Sequence, residues 1–382
     1  MRIILALLIL TAPGFYSCSN KKKNDIPYLG GKKIMSLSIN TDTLLLSGNH
    51  LSLNGIFRII NSNIVFLDER MLTASIYDTK GDLIQIALGE GEAPHEIDHF
   101  YYHTLSNSGE HIFLGDDYML AHYNKYWIKY RSKIPLQWQA RKKTYQSTNL
   151  RDINMYDINP ENNSYDTRWN PILEGKYLVI PINITARTNP ELNRFSRAGE
   201  YFKGAYTVGL INLDQGIFEK GFAGYPDVYL KNKYIPSFDY NYRDIKNDTI
   251  YVSYMADSLV FAYNKQLELI FTFGNAAKNS VPNYTTTQTL DEYSKLTASL
   301  RNKHGYYSHI YVDNDSDLFF RTYVSTDLEK SELQIYKNFK LIAELETPLR
   351  FNIIGKIGDT YYADGYLDEK SEHFGIYQLN IK

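Results

Sequence analysis

Ile56-Phe57-Arg58-Ile59-Ile60, Ile64-Val65-Phe66-Leu67-Asp68, Leu72-Thr73-Ala74-Ser75-Ile76-Tyr77 and Leu83-Ile84-Gln85-Ile86-Ala87-Leu88 follow one another with only short breaks between them. Each run has the length of a strand and is rich in β-branched or aromatic residues. Asn61-Ser62-Asn63 and Asp78-Thr79-Lys80-Gly81 supply residues that tolerate left-handed backbone angles, and Gly89 stops the fourth run. Four antiparallel strands on tight turns make a meander, the unit of one propeller blade.

A propeller requires recurrence, and the hairpin between third and fourth strands is the marker to follow. Ile76-Tyr77-Asp78-Thr79-Lys80 returns as His122-Tyr123-Asn124-Lys125, Asn212-Leu213-Asp214-Gln215-Gly216, Ala262-Tyr263-Asn264-Lys265 and Ile335-Tyr336-Lys337-Asn338. Ile376-Tyr377-Gln378-Leu379 keeps the strand but ends the chain. The steps 77→123, 213→263 and 336→377 are 46, 50 and 41 residues, about one blade each. Two longer gaps read as insertions. One holds the polar stretch Arg141 to Trp169. The other holds Thr289 to His304, where Leu290, Tyr293, Leu296 and Leu300 are at helical spacing, Thr289 and Glu292 match a capping box and Gly305 is a stop. The pattern therefore predicts an all-β, six-bladed propeller with one inserted helix near 289–303. A seven-bladed ring, with a further blade within 130–175, is the alternative.

After Arg350 only three strands follow, near 351–355, 360–364 and 373–381. Residues 33–46 can supply the fourth. Pairing that N-terminal strand into the last blade closes the ring and removes an open edge.

The 382 residues carry a formal net charge of -2, so no clustered cationic footprint for nucleic acid is expected. Tyrosine contributes 34 residues, suited to strands whose rings pack while their hydroxyls reach polar partners. The single cysteine, Cys18, excludes an internal disulfide and a cysteine-based zinc site. It follows a positive Met1-Arg2, an apolar Ile3 to Ala12, a Pro13-Gly14 break and Phe15-Tyr16-Ser17. The apolar run is too short to span a bilayer and reads as a signal peptide. Ser17-Cys18 at its end resembles a bacterial lipobox, with Phe15 where Leu is usual; the resemblance implies lipidation of Cys18. The expected organisation is a signal peptide over 1–17, a flexible tether over 18–32 and a propeller over 33–382. Surface-exported lipoproteins of Bacteroidetes resemble one another in an acidic run after the cysteine. Lys21-Lys22-Lys23 is basic, so the expected location is the outer membrane, facing the periplasm.

Ile64 to Asp68, Ile76 to Gly81 and Gly89-Glu90-Gly91-Glu92-Ala93-Pro94-His95-Glu96 together resemble the repeat of the TolB-like six-bladed propeller lipoproteins of Bacteroidetes. Ala93 and His95 stand where that family's turn has glycines. The resemblance implies a lipid-anchored, exported propeller and no reaction.

His95-Glu96-Ile97-Asp98-His99 spells H-E-x-x-H, which on a helix would set two zinc ligands on one face with Glu96 as base. The preceding Gly89 to Pro94 loop and the strand-like Phe100-Tyr101-Tyr102-His103 favour an inter-blade turn instead, so zinc at His95, His99 and Glu96 is the alternative. Asp313-Asn314-Asp315-Ser316-Asp317 resembles the start of a calcium loop but has Leu318 at the sixth position and Val324 at the twelfth, and reads as a turn. No nucleophile elbow or phosphate loop occurs, and no catalytic residue or cofactor is assigned. The expected function is a membrane-tethered binding or scaffold protein of the cell envelope, presenting a protein, peptide or glycan site, with the loops 141–169 and 275–305 as the favoured surface. A hydrolase or lyase working at the channel mouth is the alternative.

Overall fold

The computed structural model describes residues 26–382 apart from 138–148, 159–170, most of 186–197 and 287–302, 369–372 and scattered single positions. Its strands form six antiparallel sheets in chain order. Blades 1, 2, 4 and 5 are four-stranded meanders over 55–87, 102–135, 241–273 and 306–348. In blade 3, over 157–224, the short pieces Asp157–Ile158 and Ile172–Leu173 both pair with Tyr177–Asn183. Blade 6 takes three strands from 353–381 and its outermost strand, Ile39–Leu45, from the other end of the chain. Ile39 lies opposite Ile381 and Leu45 opposite Gly375. The ring closes as the sequence predicts. The seven-bladed alternative fails because 130–175 is already used: Lys129–Pro135 is the outer strand of blade 2, and the next strands belong to blade 3.

The recurring hairpin has one construction. Its Asp or Asn accepts amide protons from its own turn: Asp78 from Lys80 and Asp82, Asn124 from Tyr126 and Ile128, Asn264 from Glu268. The turn then closes on a residue at positive φ beside a bulge. That residue is Gly81 or Gly216 in two blades, but Trp127, Leu267 and Phe339 in three others. A side chain there strains the backbone. Trp127 offsets the strain by burial, with its indole stacked 3.6 Å from the His111 ring.

Because each blade is a meander, its turns alternate between two faces. Short hairpins such as 61–62, 247–248 and 358–359 lie on one, the hairpin face. The connections 136–156, 184–205, 225–240 and 274–305 leave from the other, the insertion face. Of the helix expected near 289–303, Asp291, Glu292, Lys295, Lys303 and His304 are helical, and the rest lies outside the described residues. Many of the tyrosines pack beneath these insertions. Tyr156, Tyr201, Tyr229, Tyr254, Tyr306 and Tyr323 are fully buried. Several of their hydroxyls satisfy carbonyls in loops and at strand ends: Tyr156 donates to Leu150, Tyr254 to Gly224 and Tyr323 to His304, each at 2.8 Å. Tyrosine is abundant because its ring fills the core while its hydroxyl completes a loop.

The end of the span expected as a tether, 18–32, lies within the described residues. From Pro27 onward the chain is bonded along the rim. Thr272 N donates to Pro27 O (2.9 Å) and Leu29 N to Thr272 O (2.8 Å), covering the outer strand of blade 4. Leu341 N donates to Gly31 O (2.9 Å), Lys33 N to Leu341 O (2.8 Å) and Met35 N to Ile342 O (3.0 Å), covering that of blade 5. The physical reason is that both strands end a sheet and offer unpaired backbone groups, which this strap satisfies. A chain starting at residue 38 is expected to unfold at lower temperature and to self-associate in light scattering. Unchanged melting and a monodisperse monomer would show that the strap is dispensable.

Candidate functional site: the channel mouth on the hairpin face

The innermost strands carry buried polar side chains: Arg58 in blade 1, His103 and Thr104 in blade 2, Arg243 and Asp244 in blade 4, Ser308 and His309 in blade 5. Asp244, Ser308 and His309, of blades 4 and 5, are bonded between blades. Val312 N donates to Asp244 Oδ2 (2.7 Å), linking blades 5 and 4. His309 Nε2 donates to Ile353 O (2.7 Å) and Ser308 Oγ bonds Asn352 Oδ1 (3.1 Å), linking blades 5 and 6. The centre is thus a polar plug in a hydrophobic ring.

At the hairpin face the plug leaves a pocket of about 220 Å³, walled by Arg58, Asp244, His309, Asn314, Gly355 and Lys356 among others. Burial lowers the Arg58 guanidinium to about 10 against the pull of Asp364 and Glu69. Burial also holds His309 at about 4, so it is neutral at pH 7. Lys356 is shared with a second cleft of about 430 Å³ between blades 5 and 6. That cleft has apolar walls from Met35, Leu37, Leu318, Ile342 and Ile381, with Lys337, Lys382, Asp317 and Asp359 also lining it.

The partition between the two is the turn that resembles a calcium loop. Asp313 Oδ2 accepts Ser316 Oγ (2.6 Å) and the Tyr361 hydroxyl (2.5 Å) and lies 3.5 Å from Lys356 Nζ. Burial works against its charge, but these hydroxyls, the Asp315 amide and Lys356 together hold the carboxyl below its ordinary range. Lys246 Nζ donates to the carbonyls of Asp313 and Ser316, so a built-in ammonium occupies the centre of the turn.

The other sequence candidates lie elsewhere. His95, Glu96 and His99 are on the insertion face in a turn, not a helix, and the zinc alternative's geometry is not formed. Ile97 bridges Glu90, Glu96 accepts the Ala93 amide (2.9 Å), and Asp98 pairs with Lys133. The favoured loops are also on the insertion face, opposite the pocket. Of 141–169 only 149–158 is described, and Tyr156 there faces inward, as Tyr284 does in the other loop, donating to Ala256 O. Cys18 lies outside the described residues. Sequence reasoning missed Arg58, Asp244, His309 and Lys356. A signal existed: Arg58 is a lone charge within an apolar run, and His309 sits within Tyr306–Val312. In a strand packed on both faces, an isolated polar residue marks the channel.

Six meanders, a sheet shared by both chain ends and a polar plug open at one mouth define a six-bladed β-propeller. No family profile matches this chain, and no curated protein matches it. Among solved structures, a member of the DUF4221 family from Bacteroides vulgatus is similar with a TM-score of 0.64, covering 91% of this chain and 98% of its own at 11% identity. A Bacteroides fragilis protein whose name provisionally calls it exported gives 0.53, covering 93% and 99%, also at 11% identity. At that identity the likeness carries the fold alone.

Proposed function

We propose that this protein is a lipid-anchored, peptide-binding propeller of the bacterial cell envelope. The observation that carries the binding role is the pair of adjoining clefts on the hairpin face. Both mix charged and apolar walls, and Lys356 stands between them. A peptide supplies what both take: an apolar side chain for the blade 5/6 cleft and a carboxylate or backbone carbonyl for Arg58 and Lys356. A glycan fits less well, because stacking a sugar needs an open aromatic face. The aromatic ring of the blade 5/6 cleft, Tyr361, is buried with its hydroxyl spent on Asp313. Binding is also favoured over hydrolysis or lyase chemistry, because a general base works best with a pKa near the operating pH, and burial lowers His309 to about 4.

The anchor rests on the lone cysteine ending a signal-like segment. Cys18→Ala is expected to move the protein from the membrane pellet to the soluble fraction, and the native chain to carry a diacyl mass on Cys18. A native chain with unmodified Cys18 would remove the anchor from this reading. For the ligand, immobilised full-length protein is panned against a random octapeptide library with free C-termini. The expected result is enrichment of a motif with an apolar residue near a carboxylate, lost at least tenfold in Lys356→Glu. Equal enrichment by native protein and variant would overturn the site.

A further inference from the structure

The strap over residues 26–35 exposes apolar side chains beyond its backbone hydrogen bonding, although the Tyr28 hydroxyl donates to Gly274 O (2.7 Å). Ile26, Tyr28, Ile34 and Met35 are 42%, 51%, 62% and 41% exposed, and Ile270, on the strand beneath, is 36% exposed. These five are more than a third of the large exposed hydrophobics among the described residues, gathered on the rim of two adjacent blades. Burying apolar side chains stabilises by about 25 cal/mol per Å², so an apolar strip left in water calls for a partner. Lys32 and Lys33 flank it, both exposed. An aromatic ring, aliphatic tips and adjacent lysines form the composition that suits the boundary between lipid headgroups and acyl chains.

Position selects the partner. Seven residues separate Cys18 from Ile26. A chain of that length spans at most about 30 Å. Resting on the proposed lipidation of Cys18, we infer that the strap rim of blades 4 and 5 lies on the phospholipid surface. The side chains of Ile26, Tyr28 and Ile34 enter the interface and Lys33 meets the phosphates. The channel axis then runs parallel to the bilayer, and the hairpin face opens sideways rather than against the membrane. The acyl chains supply retention; the rim supplies orientation.

Cys18 is the only cysteine, and lipidation consumes its thiol, so an engineered cysteine can be labelled alone. The lipidated full chain, carrying Ile34→Cys or Ile84→Cys labelled with bimane, is reconstituted in phosphatidylethanolamine–phosphatidylglycerol vesicles containing doxyl-labelled lipid. Ile84 is as exposed as the strap, at 56%, but lies on the outer strand of blade 1. Quenching at position 34 is expected to exceed that at position 84 at least threefold. Equal quenching at the two positions, with the diacyl mass on Cys18 intact, overturns the rim contact and leaves the anchor standing. An unmodified Cys18 overturns both.

Discussion

Arg321→Leu is expected to destabilise the propeller by about 3–5 kcal/mol, the range for removing one partner of a buried charged network. Arg321 lies on the second strand of blade 5 and is 1% exposed. It reaches into the turn between the second and third strands of blade 4. Nε donates to Ser253 Oγ (2.9 Å), Nη1 to Ser258 O (2.6 Å) and Nη2 to Asp257 O (2.5 Å). Its plane lies 3.5 Å from the centre of the Tyr307 ring. The guanidinium is held by carbonyls and a π face, with no carboxylate contact among its hydrogen bonds. Leucine would fill part of the volume but leave those carbonyls buried without donors, which costs about 1–3 kcal/mol each. Arg321→Lys is expected to recover little, because a point charge cannot span a fork of acceptors. Urea unfolding at pH 7.5 reads both variants. A loss below about 1 kcal/mol for Arg321→Leu would mean that the turn and blade 5 are joined by something else.

Acid is expected to produce the second large effect. Burial lowers His111 to about 3 and His309 to about 4, and takes His103 well below its ordinary value, with the charges of His111 and Arg58 adding to the effect. Above pH 6.5 these rings are neutral in both folded and unfolded chains and contribute no pH dependence. Below it the unfolded chain takes up protons that the folded chain refuses, so stability falls as pH falls, from about 6.5 down through the folded values. At pH 4.5, two units below the free value, His111 and His309 each cost about 2–3 kcal/mol. Together that is comparable to the whole stability of many domains. The raised carboxyls of Asp257 and Glu332 oppose this trend, since the folded chain protonates them first. Urea midpoints at pH 7.5, 6.0 and 4.5 should therefore fall steeply. His111→Gln should flatten the curve by removing one titrating ring, at a cost in stability at neutral pH because the ring also stacks on Trp127 and bonds His103 at 3.1 Å. A stability independent of pH between 6.5 and 4.5 would contradict the buried, neutral histidines.

What the sequence made legible was periodic. Strand alternation, the Tyr-Asp/Asn hairpin and the missing fourth strand of the last blade all repeat or fail to repeat along the chain, and a physical rule reads each of them. What it hid was tertiary. The strap looks like a linker because it follows a polar run and contains Pro27 and Gly30-Gly31, and only the bare edges of blades 4 and 5 make it structure. Arg321, a lone charge within Leu318–Val324, finds its acceptors only in the carbonyls of blade 4. The tyrosines of the insertions read as a recognition surface, yet the hydroxyls of Tyr156 and Tyr284 are turned to neighbouring carbonyls. The channel mouth gathers residues more than 290 positions apart, Arg58 and Lys356, which no local pattern joins.

Hydrogen exchange followed by mass spectrometry on the full-length chain tests the closed ring most directly, because the N-terminal strand has no partner except the C-terminal one. The amides of 39–45 that point at 375–381 should exchange slowly, and should be released together with those of 375–381 when denaturant unfolds the molecule. Exchange of 39–45 within seconds, beside a still-protected 375–381, would mean that the two ends of the chain do not share a sheet.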